Sequence, residues 1–195
     1  MTARKWTTVS SERHFADGNL EVVTDRVQSP ARPDPRAWTI VHRKAAVVIA
    51  PMTHRGKIVL IRQERIPIRR AIWEMPSGQI DDYDADENKI EETALREVRE
   101  ETGYELASGG QLIPLGRYFS SPGFTDERGY LFLARPVHPS EDGSHHDEGE
   151  SILGCGEFSV EEIRRMIAEN EICDANTLGI CATLSARGFL SLAPR

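Results

Sequence analysis

Three glutamates at short spacing, Glu97, Glu100 and Glu101, are the strongest chemical signal in this chain. If residues 90–102 form a helix, spacings of three and four place their carboxylates within about 100° of arc. Like charges so placed repel, and in the last turn the helix dipole disfavours each anion by roughly 0.3–1 kcal/mol. A solvated acidic face supported by Arg96 is the simpler structural explanation. A bound divalent cation would reverse both penalties, since Mg²⁺ takes carboxylate oxygens together with substrate phosphates.

The acidic charge of the chain is confined to one segment. The 195 residues carry a formal net charge of −7, and residues 81–101 hold ten acids and three bases, so the rest is neutral overall. This balance offers no basic excess for nucleic acid, and we expect no nucleic-acid partner. No stretch approaches the roughly 18–20 apolar residues of a membrane span. A polar N-terminus and three cysteines without a C-x-x-C pair predict a cytoplasmic protein.

The elements that would position these glutamates follow from turn signals and apolar periodicity. Strands on both sides of a central helix, with helices closing the chain, predict an α/β (α+β) sandwich. The arm formed by residues 1–43 has few large apolar residues and is expected to pack on the main domain or on a second subunit. Expected elements are a hairpin turning at 17–19, strands at 45–50 and 57–61, a helix at 90–102 ending at Gly103, strands at 112–119, 129–134 and 151–158, and helices at 160–170 and after Asp174.

Residues 96–104, Arg-Glu-Val-Arg-Glu-Glu-Thr-Gly-Tyr, resemble the second half of the Nudix box, the metal-binding strand–loop–helix of the Nudix hydrolases. The family pattern is Gly, five residues, Glu, seven residues, then Arg-Glu-apolar-any-Glu-Glu-any-Gly-apolar, and all nine last positions match. The first half departs from it, because Gly78 lies 18 positions before Arg96 where the family has 14. We interpret this as an insertion within residues 81–87. The first box glutamate, which orients the box arginine, is then Glu87 or a neighbouring acid.

Segments outside the box resemble the ADP-ribose pyrophosphatase branch of the family. They are residues 62–65 with 73–78, the proline motif at 121–127 and the acidic loop at 146–152. The resemblance implies a Nudix-type α/β/α sandwich with a mixed central sheet and an N-terminal β-strand arm. It also implies that residues 1–43 form a homodimer and that residues 44–195 form the hydrolase domain.

The resemblance also implies roles for individual residues. Glu97, Glu101, Glu100 and the Ser77 carbonyl would hold Mg²⁺, with Mn²⁺ as the alternative ion. Glu148 would be the general base, with Glu150 as the alternative, and Arg96 is the box arginine. An ordinary polar loop explains Glu148 and Glu150 as well, and a tryptophan packed under a sheet explains Trp38 as well. The implied substrate contacts are Arg65, Arg62, Trp38, Glu74 and Glu127.

The implied activity is Mg²⁺-dependent hydrolysis of the diphosphate bond of ADP-ribose, or of a related nucleoside diphosphate sugar, to AMP and ribose 5-phosphate. Divalent ions suit it because they neutralise the diphosphate, template the geometry and lower the pKa of water. The misspaced first half of the box motivates one alternative, a Nudix-like nucleotide-binding sensor without efficient turnover.

Overall fold

A computed structural model describes residues 5–80, 86–145 and 151–192 of the chain. The chain divides into two compact units. The first comprises the residues up to Ala45 together with Phe119–Arg128, and the second comprises Ala46–Tyr118 and Gly129–Arg195. The assignment of residues 1–43 as a dimer-forming arm and of residues 44–195 as the hydrolase domain stays a prediction.

The first unit contains a three-stranded antiparallel sheet of β1 (Thr7–Ala16), β2 (Leu20–Gln28) and β3 (Arg36–Arg43). The predicted turn at 17–19 is confirmed: the Asp17 carboxylate accepts the backbone N–H groups of Asn19 and Leu20 at 2.7 and 2.9 Å. Such a side-chain to backbone bond is the usual reason for Asp at a turn. All ten residues of β1 are exposed.

The second unit is built on a mixed sheet. Its strands are β4 (Ala46–Thr53), β5 (Ile58–Arg65), β6 (Arg70–Glu74), β7 (Ser77–Gln79), β8 (Tyr104–Phe119), β9 (Arg128–Pro139) and β10 (Ile152–Phe158). Five of these strands follow the order β10-β5-β4-β9-β8. β4 runs parallel to β9 and antiparallel to β5, and this confirms the predicted mixed sheet. The predicted β4–β5 hairpin is confirmed by Met52 opposite Ile58.

Helices cover both faces of this sheet, as predicted for an α/β/α sandwich. The helices are α1 (Glu87–Thr102), α2 (Val160–Ala168) and α3 (Ala175–Ala186). On β5, Ile58 and Leu60 join a core with α2 and α3, whereas Val59 and Ile61 are buried on the opposite face, where α1 packs. None of the helices in the described ranges is long and apolar enough to cross a membrane.

Local sequence sets the ends of α1. Gly103 follows the helix with a left-handed φ of 70°, and its N–H donates to the Arg99 carbonyl at 2.9 Å, which confirms the predicted end. The helix begins at Glu87, three residues earlier than predicted, because the Asp86 carboxylate accepts the Lys89 N–H at 3.0 Å.

A split between β4 and β5 makes room for the candidate site. β4 and β5 pair only near Met52; beyond that point β5 takes β6 as its neighbour and β4 takes β7. The link between β6 and β7 crosses the split, where the Pro76 carbonyl accepts the Ile49 N–H at 3.0 Å. Residues 70–79 are therefore held within the sheet, with β7 packed against α1.

Candidate active site

The buried stripe of α1 carries two carboxylates. Ile90, Ala94 and Val98 are buried at helical spacing, and so are Glu97 and Glu101, which are 5% and 1% exposed. A solvated acidic face is therefore the wrong explanation for these two residues. Burying a carboxylate is costly unless hydrogen bonds or a cation compensate it.

Glu100 differs from the other two glutamates. It lies toward the edge of the stripe with a partly exposed side chain, and its carboxylate accepts Arg96 Nη1 at 2.6 Å. The Glu97 carboxylate accepts Arg96 Nη2, also at 2.6 Å. The three carboxylates therefore differ in burial, since the sheet covers the Glu97–Glu101 side of the helix.

The turn into β7 is shaped around these carboxylates. The Ser77 N–H donates to Glu101 Oε2 at 2.7 Å. A Cβ added to Gly78 would overlap the Glu97 carboxylate. Glycine is thus required at position 78 because the Glu97 side chain approaches the strand backbone closely.

The donors present fit a hard divalent cation. Mg²⁺ takes oxygen ligands, and Glu97 and Glu101 offer buried carboxylate oxygens beside the Ser77–Gly78 backbone. Within residues 5–80, 86–145 and 151–192, no three His, Cys, Asp or Glu side chains are grouped closely enough to hold a metal ion.

Glu87 cannot be the acid that orients Arg96. Both residues lie on α1, nine positions apart, or about 13 Å at a rise of 1.5 Å per residue. Asp86 is the N-cap of the helix. The remaining acids of the predicted insertion fall within residues 81–85, outside the described residues.

Arg65 and Glu74 form the second charged feature of the site. Glu74 is 2% exposed and accepts Arg65 Nε at 2.9 Å and Nη2 at 2.5 Å. The hydrogen-bonded Glu74 carboxylate raises the pKa of the Arg65 guanidinium above its ordinary value, and the charges of Asp174 and Glu101 act in the same direction. Arg65 Nη1 donates no hydrogen bond within the described part of the chain, and the side chain is partly exposed.

Breaking the Arg65–Glu74 pair is expected to be strongly destabilising. Arg65→Met leaves Glu74 buried without its cation, and we expect the free energy of unfolding to fall by about 3 kcal/mol. This value is at the low end of the range for buried ion pairs, because Arg65 is partly exposed. The double variant Arg65→Met/Glu74→Met should recover most of that loss. Denaturant unfolding of both variants measures it.

The matched control is Arg165→Met, which removes an exposed arginine paired with Glu169 and Glu171 and should change stability little. If Arg65→Met and Arg165→Met lower the free energy of unfolding by the same amount, the burial of the Glu74 carboxylate does not depend on its pairing with Arg65.

Gln63 is a residue of the site that sequence analysis assigned no role. It is 6% exposed, and its Oε1 is buried and accepts no hydrogen bond from residues 5–80, 86–145 or 151–192. Leaving such a group unpaired costs roughly 1–3 kcal/mol. A signal was available in the strand alternation, which places Gln63 on the inward side after Val59 and Ile61.

The other predicted substrate contacts are divided between the two units, with Arg62 in the second and Trp38 and Glu127 in the first. Arg62 is exposed on the opposite face of β5 from Arg65, because residues three apart on a strand face opposite ways. In the first unit, Trp38 is 57% exposed, so a tryptophan packed under the sheet is the wrong alternative. Its Nε1 donates to the Gly123 carbonyl at 2.8 Å. Glu127 accepts Arg43 Nη1 at 2.9 Å and Ser120 Oγ at 2.7 Å.

Glu148 and Glu150 lie outside the described residues, but both flanks of their loop are placed. On one side, the His145 N–H donates to the Glu100 carbonyl of α1 at 3.0 Å. On the other side, the Ser151 carbonyl accepts the Glu64 N–H at 2.9 Å, and Ser151 Oγ donates to Glu64 Oε2 at 2.6 Å. The described flanks of this segment therefore lie at α1 and at the part of β5 that holds Arg65.

The chain is similar to known proteins over most of its length. The NUDIX domain model matches residues 41–177. An ADP-ribose pyrophosphatase of Bacillus subtilis (strain 168) is 31% identical over 170 residues, covering 87% of each chain. A methanol dehydrogenase activator of Bacillus methanolicus is 32% identical over 171 residues, covering 88% of each. The crystal structure of an ADP compounds hydrolase superposes with a TM-score of 0.76 at 17% identity, covering 97% of this chain and 100% of that one, which shows a shared fold. By its domain match and its full-length relatives, the chain belongs to the Nudix family of hydrolases.

Proposed function

We propose that this protein hydrolyses the diphosphate bond of ADP-ribose, or of a related nucleoside diphosphate sugar, to AMP and ribose 5-phosphate. The observation that carries the proposal is the pair of buried carboxylates, Glu97 and Glu101, facing the Ser77–Gly78 turn in the same unit as Arg65. The similarity to an ADP-ribose pyrophosphatase over 87% of both chains supports the substrate class.

Glu97 and Glu101 would hold Mg²⁺, with Glu100 and the Ser77 carbonyl completing the ligands and Mn²⁺ as the alternative ion. The bound ion would neutralise the diphosphate and lower the pKa of the attacking water. Glu100 is paired with Arg96, so its carboxylate can join the site only if that ion pair is exchanged.

Arg65 is suited to bind the diphosphate. Glu74 fixes one edge of its guanidinium, while Nη1 remains available for a phosphate oxygen, a geometry that arginine provides with directional hydrogen bonds. Glu74 is thereby a positioning residue for Arg65 and not a direct substrate contact. Arg62 faces away from Arg65, whereas Trp38 and Glu127 stay predicted substrate contacts.

The proposed hydrolysis uses water as the nucleophile. Water attacks one phosphorus atom, a loop glutamate takes its proton, and the bond from that phosphorus to the bridging oxygen breaks. The bridging oxygen leaves with the second phosphate, so each product carries one phosphate. Glu148 is the proposed base and Glu150 the alternative.

Product analysis tests the proposal. Purified protein with ADP-ribose and Mg²⁺ should yield AMP and ribose 5-phosphate in equal amounts, and a panel of nucleoside diphosphate sugars ranked by kcat/KM identifies the preferred substrate. Addition of EDTA should abolish turnover, and Mn²⁺ should be compared with Mg²⁺. Tight ADP-ribose binding without product at saturating Mg²⁺ would instead favour the sensor function.

The homodimer stays a proposal about the first unit. The fully exposed β1 is an edge strand that pairs only with β2 among the described residues, and a second strand can extend such an edge. Exposed apolar side chains on and before it include Trp6, Val9 and Phe15.

A further inference from the structure

Gln63 lies on the same face of β5 as the diphosphate-binding Arg65. Val59, Ile61, Gln63 and Arg65 alternate along the strand and share the α1 side of the sheet. The first two are apolar and fully buried, as expected for a strand covered by a helix. Gln63 occupies the next buried position with an amide in place of an apolar side chain.

The Arg65–Glu74 ion pair spans Gln63. In the β5–β6 register, Arg65 lies opposite Arg70, Gln63 opposite Ile72 and Ile61 opposite Glu74. Opposite residues share a face, so Arg65 and Glu74 meet across the intervening Gln63–Ile72 pair. The bridge therefore accounts for the burial of Gln63.

The side-chain carbonyl of Gln63 has no donor among the residues that the structure describes. Its Oε1 is buried there without a hydrogen bond, although methionine or leucine would fill the same volume without burying a polar atom. Buried polar groups in proteins are nearly always hydrogen-bonded, so an orphaned one calls for a partner that this conformation lacks. A diphosphate bound by Arg65 would lie next to this amide, because Gln63 and Arg65 are neighbours on the same face of β5.

We propose that Gln63 is a specificity-determining residue whose side-chain carbonyl accepts a hydrogen bond from a hydroxyl or amino donor of the bound substrate. This proposal rests on the proposed function, because the ligand is the same nucleoside diphosphate sugar that Arg65 binds. The available donors on such a ligand are the exocyclic amine of the base and the hydroxyls of the two sugars.

Gln63→Met tests the role of the amide. We expect kcat/KM for the preferred substrate to fall about tenfold, as for the loss of one hydrogen bond near 1.4 kcal/mol, while the melting temperature stays the same or rises. Gln63→Leu should show the same changes. Because methionine and leucine differ in shape but both lack the side-chain carbonyl, equal effects would be due to loss of the carbonyl. The matched control is Gln111→Met, at an exposed position of β8, where neither quantity should change.

Substrate analogues identify the donor. Replacement of adenine by hypoxanthine exchanges the exocyclic amine for a carbonyl, and deoxy analogues remove single hydroxyls. The wild type should have a lower kcat/KM for the one analogue that lacks the donor than for the preferred substrate. Gln63→Met should lose this discrimination, so that its kcat/KM values for the two compounds agree within about twofold.

One result overturns the proposal: higher melting temperatures for Gln63→Met and Gln63→Leu, with every kcat/KM and every dissociation constant within twofold of wild type. Gln63 would then be only a polar residue of the core. The proposed function is judged on the wild type alone. If the wild type binds a nucleotide without turning it over, dissociation constants replace kcat/KM. The ratio of the dissociation constant of each Gln63 variant to that of wild type then decides the role of Gln63.

Discussion

Replacing Glu101 with glutamine is expected to lower kcat/KM about 10²–10³-fold. Glu101 is 1% exposed and its Oε2 accepts the Ser77 N–H, so one carboxylate links α1 to the turn into β7. Glutamine keeps the volume and one acceptor oxygen but has no negative charge for a cation. Charge stabilisation by a metal ion is worth several kcal/mol, and each 1.36 kcal/mol is tenfold in rate.

Stability measurements separate loss of the ion from loss of the fold. Without metal, Glu101→Gln should be at least as stable as wild type, because a buried charge is removed. Wild type should melt at a higher temperature when Mg²⁺ is added, and Glu101→Gln should lose that increase. The partly exposed Glu100→Gln is the matched control and should lose less activity. Full activity of Glu101→Gln at limiting Mg²⁺ would remove Glu101 from the ligands.

The elements of the fold were predictable where the signal was local. The end of α1 at Gly103 and the turn at Asp17 depend on backbone conformations and hydrogen bonds within a few residues, and both were predicted. The start of α1 was missed because no apolar residue precedes Ile90 in the helix, so the capping side chain of Asp86 was the only signal.

The environment of the glutamates was predictable only in part. Helical spacing brought Glu97, Glu100 and Glu101 together, but it does not tell which side the sheet covers. The apolar positions Ile90, Ala94 and Val98 do indicate that side, and extending their stripe includes Glu97 and Glu101 and leaves Glu100 at its edge.

The pairing of Arg65 with Glu74 was not predictable from the sequence. It depends on the β5–β6 register, which is set by the Ile66–Ile68 3₁₀ turn and by Arg69 in a left-handed conformation with φ of 53°. Arginine carries no sequence signal for positive φ, so a one-residue slip was equally consistent with the sequence. Such a slip would have placed Glu74 on the opposite face of the sheet.

Replacing Glu148 with glutamine is expected to lower kcat about 10²–10⁴-fold, the usual contribution of a general base, with KM changed little. The flanks of its loop support this role. His145 is held on the Glu100 carbonyl, next to the proposed metal ligand Glu101, and Ser151 is held on Glu64, next to Arg65. Glu148 lies between these two anchors in the sequence, and we expect it to take the proton of a water held by the metal and the diphosphate.

Comparison with Glu150→Gln distinguishes the two acids. A general base must be ionised, so the kcat of wild type should fall as the pH drops through the pKa of the base in the substrate complex. This fall is the acidic limb of the plot of kcat against pH. Glu148→Gln should lose the acidic limb, while Glu150→Gln should keep it with a smaller loss of kcat. A reversed pattern would exchange the two roles. If both variants keep the acidic limb, the base is another residue. The contact of Ser151 with Glu64 would then serve only to hold β10 against β5, since Ser151 directly precedes β10.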